Sequence, residues 1–325
     1  MPDTRDIPYA TLEQAAEWYA TLRADAVDEN ERRRWQDWLA RDAGNRQAWA
    51  RVEAISQNVA IARQTPEASS AALHAAGAQR QRRKLVKTLA LAAFGAGLGW
   101  QLARTEDVQV AFAGRGASHR VGVGERVDTV LADGTRLWLD SGTILDQRFD
   151  AVQRLVVLHQ GEILLQSGHD AHRPLVVQSR QGSMRALGTR FQVRQFEGST
   201  RLGVSEGRVE VTPIDAHGPR LIIEAGQEVT FTRSEVSLPG ALPAAREAWT
   251  QGMLIAEDLP LDAFLAELSR YRHGHLGCDP AIAGLRVVGA FPVHDTDQAL
   301  AMLEAALPVR ARRVLPWWVT VDAKK

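Results

Sequence analysis

The sequence predicts a multidomain chain: an N-terminal three-helix bundle, one transmembrane helix, an all-β domain and a small C-terminal α+β domain. Three observations carry this reading. Apolar residues recur at helical spacing up to about residue 62, Thr88 to Ala103 runs 16 residues without a charge, and from residue 108 the pattern switches to alternation broken by glycine. A length of 325 residues suits two or three domains of about 150 residues each. With 45% hydrophobic and 24% charged residues there is ample apolar material for packed cores, which excludes global disorder.

Residues 1–62 make the bundle. Thr11-Leu-Glu-Gln14 reads as a capping box in which hydroxyl and amide each satisfy an orphan backbone N–H, and Leu12, Ala15, Ala16, Tyr19 and Leu22 follow as one stripe. Asp28-Glu-Asn-Glu31 is a second capping box and leads into Trp35, Trp38 and Leu39. The turn Arg41-Asp-Ala-Gly-Asn45 ends that helix, and a third places Ala48, Trp49, Val52 and Ile55 on one face. Three short amphipathic helices bury their stripes against one another.

Residues 63–84 read as an Ala-rich linker with a basic flank. The expected membrane helix covers 85–103, 19 residues, close to the roughly 20 that a span needs. Arg80, Arg82, Arg83, Lys84 and Lys87 lie at its front, while Arg104, Glu106 and Asp107 follow, so the positive-inside rule puts the N-terminus in the cytoplasm and the remainder outside. Its Ala and Gly content makes the segment only weakly hydrophobic, and a buried core helix is the competing reading.

Residues 108–236 spell many short strands joined at Asp133-Gly134, Gly161, Gly168, Gly207 and Gly226. Residues 249–325 alternate: a strand at Met253 to Ile255, a helix at Pro260 to Arg270, a strand at Leu285 to Ala290, a helix at Asp297 to Leu307 and a closing strand at Trp317 to Val321.

Charge and residue chemistry narrow the function. The 39 basic and 39 acidic residues cancel overall, and residues 1–62 hold eight Lys/Arg against eleven Asp/Glu, a net of −3 (8 − 11). Duplex binding needs clustered basic side chains over phosphates, so direct contact of this bundle with nucleic acid is excluded. The lone Cys278 forms no disulfide framework and reads as a small buried hydrophobe. His169 with His172 and His273 with His275 lack the Glu of an H-E-x-x-H site and read as solvated histidines, so neither metal nor cofactor is expected. No phosphate-binding glycine loop or G-x-S-x-G elbow suggests an enzyme. Trp18, Trp35, Trp38 and Trp49 serve as bundle core or as a partner surface, and so small a bundle must recruit most of them to its core. Arg32, Arg33 and Arg34 then offer an exposed face to a partner, or a merely solvated one. Gly188-Thr189 is by itself a turn dipeptide, although a Thr hydroxyl can attack the carbonyl before it.

Seven short motifs in order, Val123-Gly-Glu-Arg126, Leu131-Ala-Asp-Gly-Thr135, Gln160-Gly-Glu162, Arg173-Pro174, Arg185-Ala-Leu-Gly-Thr-Arg-Phe191, Glu206-Gly-Arg-Val209 and Ala225-Gly-Gln227, resemble the FecR family of sigma-factor regulators. Ala16, Trp18, Trp38 and Asn45-Arg-Gln-Ala-Trp49 resemble its helical N-terminal module. Trp249, Gly252, Leu261 through Arg270, Gly289-Ala-Phe291 and Asp297-Gln-Ala-Leu300 resemble its C-terminal domain, similar to the signalling fold of TonB-dependent transducers. After Gly161-Glu162 this chain has Ile163-Leu-Leu165, where the family often carries a small residue and then aromatics.

The resemblance implies a single-pass inner-membrane anti-sigma factor. Its cytoplasmic module would bind an extracytoplasmic-function sigma factor. Its periplasmic part would answer the signalling domain of a TonB-dependent outer-membrane receptor loaded with a siderophore or another iron source. Periplasmic and intramembrane proteases would connect the two, and cleavage at Gly188-Thr189 is a further property the resemblance implies. The competing class is a membrane-anchored periplasmic binding protein or hydrolase with incidental N-terminal helices, which would need a pocket of convergent polar groups. A protein with its apolar helix buried in a soluble fold is the third.

Overall fold

The computed structural model describes residues 7–24, 27–64, 117–170, 172–216 and 220–324. It divides into two compact units, one formed by the N-terminal helices together with the chain from Gln251 onward, the other by the β-rich middle up to Thr250.

In the first unit the helices are α1 (Tyr9–Thr21), α2 (Glu29–Arg41) and α3 (Ala43–Gln64). The capping box expected at Thr11-Leu-Glu-Gln14 is not formed. Instead Pro8 stands at the N-cap with φ −57°, its carbonyl accepting from the backbone N–H groups of Thr11 and Leu12, so the helix begins earlier and a fixed proline dihedral replaces a side-chain cap. Asp28 and Glu31 do form the reciprocal capping box of α2. The expected turn at 41–45 contracts to Asp42, whose carboxylate accepts from the Gly44 N–H and lets α3 start at Ala43. Ala15, Ala16, Trp38, Ala48 and Val52 make the bundle core.

The rest of this unit is strand β14 (Met253–Pro260), helix α4 (Leu261–Ser269), strand β15 (His275–Cys278), strand β16 (Arg286–Pro292), helix α5 (Thr296–Ala306) and strands β17 (Val309–Leu315) and β18 (Trp318–Ala323). β14 pairs with β16, while β15 runs parallel to β18, which pairs antiparallel with β17. Strands β15 and β17 were not foreseen, being short or broken by charge (His275-Leu-Gly-Cys278, and Val309-Arg-Ala-Arg-Arg313). Val309, Ala311, Val319 and Val321 point to a core with Phe264, Leu265, Leu300 and Leu303 of the helices. The alternate residues of β17 and β18 face the other way.

The second unit holds β1 (His119–Arg120), β2 (Val127–Val130), β3 (Arg136–Leu139), β4 (Ile144–Phe149), β5 (Arg154–Gln166), β6 (Leu175–Gln178), β7 (Gly182–Ala186), β8 (Arg190–Gln195), β9 (Thr200–Glu206), β10 (Arg208–Pro213), β11 (Leu221–Glu224), β12 (Gln227–Phe231) and β13 (Gly240–Ala241). The thirteen-residue β5 organises it. Its first half pairs with β4 and, in parallel, β6, whereas its second half pairs with β3 and β8. The change of partners falls at Gly161, where φ is +95° and an added Cβ would lie 2.4 Å from the Thr143 hydroxyl and 2.6 Å from its Cα. Ile163, Leu164 and Leu165 are fully buried, so the aliphatic departure from the family pattern is a matter of packing.

The expected membrane helix is a correction. Among the described residues no helix is long and apolar enough to cross a membrane, and 85–103 lie outside the described residues, as do residues 65–84 of the expected linker, whose first two residues end α3, and the first alternating run at 108–113. α3, at 22 residues, would reach about 33 Å, but Arg46, Arg51 and Glu53 make it an amphipathic bundle helix. The physical weakness of the expectation is compositional, since alanine and glycine add little transfer free energy per residue.

Gly161→Ala is expected to cost at least about 2 kcal/mol, from forced dihedral strain plus overpacking, while Gly134→Ala, equally left-handed (φ +81°) but with nothing within 4 Å, should cost about 1 kcal/mol. Equal losses in urea melts would remove the close approach at Thr143 as the reason for glycine. A second expectation concerns acid. His275 is stacked on Trp318 (centroids 4.1 Å apart), and burial pushes its pKa from 6.5 down to about 4. The folded state therefore resists a proton that the unfolded chain accepts. Stability is fully present above pH 6.5 and falls as pH drops towards 4, by about 3 kcal/mol in all. His275→Gln should flatten that acid limb; an unchanged limb would assign it to other groups.

Candidate functional site

Two features could carry function. The first is a cavity of about 470 Å³ beside Gly188 and Thr189, with Ser167, Gly168, His169, Asp170 and Glu206 among its lining. Its geometry follows from the topology. The chain crosses between the two groups of strands twice at this end, through Leu187–Thr189 between β7 and β8 and through Gly207 between β9 and β10. The crossings lie against each other: a Cβ on Gly207 (φ +74°) would sit 2.2 Å from the Gly188 carbonyl oxygen. Gly188 itself has φ +79° with open space around its absent Cβ, so the dihedral rather than crowding requires glycine. Thr189 is buried and held on both sides by Ser167, whose hydroxyl accepts from the Thr189 N–H (3.2 Å) and whose N–H donates to the Thr189 carbonyl (2.9 Å). The Thr189 hydroxyl has no hydrogen-bond partner among the described residues. A buried hydroxyl left without a partner beside a left-handed glycine is an arrangement that calls for explanation.

Behind this cavity lies a buried ion pair. Arg154 donates to Asp133 (2.7 Å) and to the carbonyls of Gly168 (3.1 Å) and Arg173 (2.9 Å), and both charged side chains are almost fully enclosed. Burial opposes ionisation of Asp133, but hydrogen bonds from Thr135 and Arg154 hold its carboxyl below the usual range. The Thr135 hydroxyl donates to Asp133 (2.6 Å) and accepts from the Gly168 N–H (3.0 Å). Motifs far apart in sequence, Asp133-Gly-Thr135, Arg173-Pro174 and Gly188-Thr189, are thus one structural cluster. Asp170 accepts from the backbone N–H groups of Arg173 and His172, which holds its carboxyl well below the usual range and makes it a poor general base. His169 and His172 are exposed at the rim. Among the described residues no group of three or more His, Cys, Asp or Glu stands together for a metal ion. Cys278 is half-buried, and burial pushes its thiol up to about 11, which makes it a weak nucleophile.

The second feature is the helical bundle. Trp38 is buried, its indole N–H donating to Gln14 (2.9 Å), while Trp18, Trp35 and Trp49 are half-buried. Trp35 packs on Trp49 (5.0 Å between centroids), and Trp49 on Tyr19 (5.7 Å). Tyr19 is buried in the bundle core, and Trp35 and Trp49 pack against it at the core's edge. Trp18 stands apart, in a groove with Glu17, Arg34, Asp37 and Arg41. Arg33 and Arg34 pair along their own helix with Glu29 (3.5 Å) and Glu31 (4.0 Å), so the arginine run is a self-neutralised, solvated face.

Comparisons with known proteins agree with both features. Residues 117–210 match the FecR family, described as FecR protein, and residues 13–55 match DUF4880, a domain of unknown function. Two crystal structures of a candidate anti-sigma factor from Parabacteroides distasonis ATCC 8503 share the fold. One has a TM-score of 0.54 at 22% identity, covering 64% of this chain and 99% of that one. The other has a TM-score of 0.53 at 22% identity, covering 64% and 98%. No curated protein matches. The cavity-bearing β unit and the helices ahead of it are thus the two stretches that carry a family signature, and residues 117–210 are similar to the FecR family.

Proposed function

We propose that this chain is a sigma-factor regulator whose N-terminal helices bind an extracytoplasmic-function sigma factor. The observation that carries the reading is the bundle itself: net acidic, so unsuited to duplex DNA, yet bearing the half-buried, mutually packed Trp35 and Trp49, a residue type that anchors protein interfaces. The match of residues 117–210 to the FecR family and the candidate anti-sigma factor among the similar solved structures support it. On the signal side, the FecR domain and the C-terminal α+β segment answer the signalling domain of a TonB-dependent receptor that reports an iron source, and proteolysis releases the helical part.

A second reading concerns Gly188-Thr189, favoured by the unpartnered buried hydroxyl. In it, Thr189 Oγ attacks the Gly188 carbonyl carbon, and the Gly188–Thr189 C–N bond breaks as the departing amine takes up the proton the hydroxyl loses. The ester so formed is hydrolysed by water to a Gly188 carboxylate and a free Thr189 hydroxyl. It is a single-turnover self-processing, not enzymatic turnover.

Two outcomes are expected. In pull-downs with the full chain, Trp35→Ala should weaken sigma-factor capture by about 30-fold or more, as hot-spot aromatics do, whereas Arg33→Ala stays within about twofold. The reverse ranking would move the interface to the charged face. For self-processing, blots of the full chain should show a fragment boundary at residue 189 that vanishes in Thr189→Ala and persists in Thr189→Ser; a Thr189→Ala chain cut at the same place would assign the cleavage to another protease.

A further inference from the structure

The chain leaves the β-rich unit through a strap laid across one face of its strands. After β13 the backbone turns through a short 3-10 helix, Ala244–Gln251, and four contacts hold this stretch down. Leu242 seats its side chain over Gly203, where an added Cβ would lie 2.6 Å from the leucine Cδ1. Arg246 donates to Glu228 on β12 (3.0 Å). Trp249 is buried, and its carbonyl accepts from the Arg126 guanidinium (2.7 Å). The fourth contact reaches β8: the Glu247 carboxylate accepts from Arg190 Nη2 (2.7 Å) and Nε (3.1 Å), and also from the Ser205 hydroxyl. Ser205 is the extra residue of the bulge between the pairs Arg190–Glu206 and Phe191–Val204.

Arg190 is the residue after Thr189. Its guanidinium also lies over the Trp138 ring (4.9 Å) and donates to Gln166 (3.5 Å), the neighbour of Ser167. Thr189 is therefore gripped from two sides. Ser167 holds its N–H and carbonyl, and Glu247 fixes the side chain of the next residue at the start of β8. Of the strap's four anchors only Glu247 touches a residue next to the scissile bond. Both side chains of the Glu247–Arg190 pair are about three-quarters enclosed, so water and salt screen it less than a surface pair. Attack of Thr189 Oγ on the Gly188 carbonyl carbon demands a defined backbone at both residues, since a displacement of about 1 Å costs about a hundredfold in rate.

We propose that Glu247 is a positioning residue for self-processing at Gly188-Thr189, so that processing requires the strap to be seated. The inference rests on the self-processing reading above. Glu247 touches none of the reacting atoms; it acts through Arg190, takes up no proton and breaks no bond. Every group involved lies between residues 126 and 250, inside one compact unit, so the clamp needs no other part of the chain. The strap runs directly into the C-terminal segment at Gln251, which gives that segment a covalent hold on the clamp.

The test measures how fast newly made full chain is cut at residue 189, by pulse-labelling and gel separation. Glu247→Ala should slow the cut at least about tenfold, Arg190→Ala by a similar factor, and the double variant no further, as two residues acting as one unit do. Glu247→Gln keeps an acceptor for Arg190 and should stay within about threefold of the parent. Arg220→Ala, which breaks an exposed pair with Glu210, should stay within about twofold. Melting is compared in a Thr189→Ala background, where no chain processes itself; adding Glu247→Ala there should move the midpoint by less than about 4 °C. Parent and Glu247→Ala cut at equal rates overturn the clamp and leave self-processing standing. A slow Glu247→Ala with a larger fall in midpoint and no recovery in Glu247→Gln assigns the effect to lost stability and overturns the clamp as well. A parent never cut at residue 189 removes the self-processing reading and the clamp with it.

Discussion

One strand that serves two sets of partners is the constraint on which the central unit rests. β5 pairs with β4 and β6 before Gly161 and with β3 and β8 after it, and only a residue without Cβ lets the backbone pass Thr143 there. The Thr143 hydroxyl completes the join, donating to the Glu162 carbonyl and accepting from the Glu162 N–H. Both ends of β5 meet the candidate cavity. Arg154 opens the strand with its guanidinium on Asp133, and Ser167, just past Gln166, holds Thr189. A shift of register in β5 would therefore move both walls of that cavity at once.

Two buried carboxylates do different jobs in this molecule. Asp133 is paired with Arg154 inside the β unit, where the same guanidinium holds the carbonyls of Gly168 and Arg173; breaking the pair would leave a buried charge unmatched. Glu13 is matched by residues about three hundred positions away in sequence, on the strands that close the chain. The chemistry is similar in the two places, yet one network braces the β unit and the other joins the first helix to the last two strands.

The β unit was largely legible, because alternation on half-buried strands and glycines at left-handed turns leave direct marks in the sequence. The strands around Asp133-Gly134 and Gly207 lie where the pattern puts them, whereas Gly161, read as a turn between two strands, lies inside β5, where its left-handed backbone marks a change of partners. Ile144-Leu-Asp-Gln-Arg-Phe149 and Gly182-Ser-Met-Arg-Ala186 alternate weakly in sequence, and pairing with stronger neighbours makes them strands β4 and β7. The Thr11 capping box failed because Pro8 offered an earlier start. The membrane helix rested on length and flanking charge, and no described helix meets the requirement.

Local physics, then, was determined by the sequence alone: helical and two-residue periodicity, the Asp28-Glu31 cap, the glycine turns, and an acidic bundle unfit for phosphate backbones. Only the tertiary structure decided which distant groups meet. The unpartnered Thr189 hydroxyl beside Gly188 and Gly207, the enclosure of Arg154, and the seating of Glu13 against Arg312, Trp318 and Thr320 all join residues whose spacing in the chain carries no record of their contact. Periodicity reports which face of an element is apolar. It is silent on which polar atoms are left to satisfy one another once those faces have been buried.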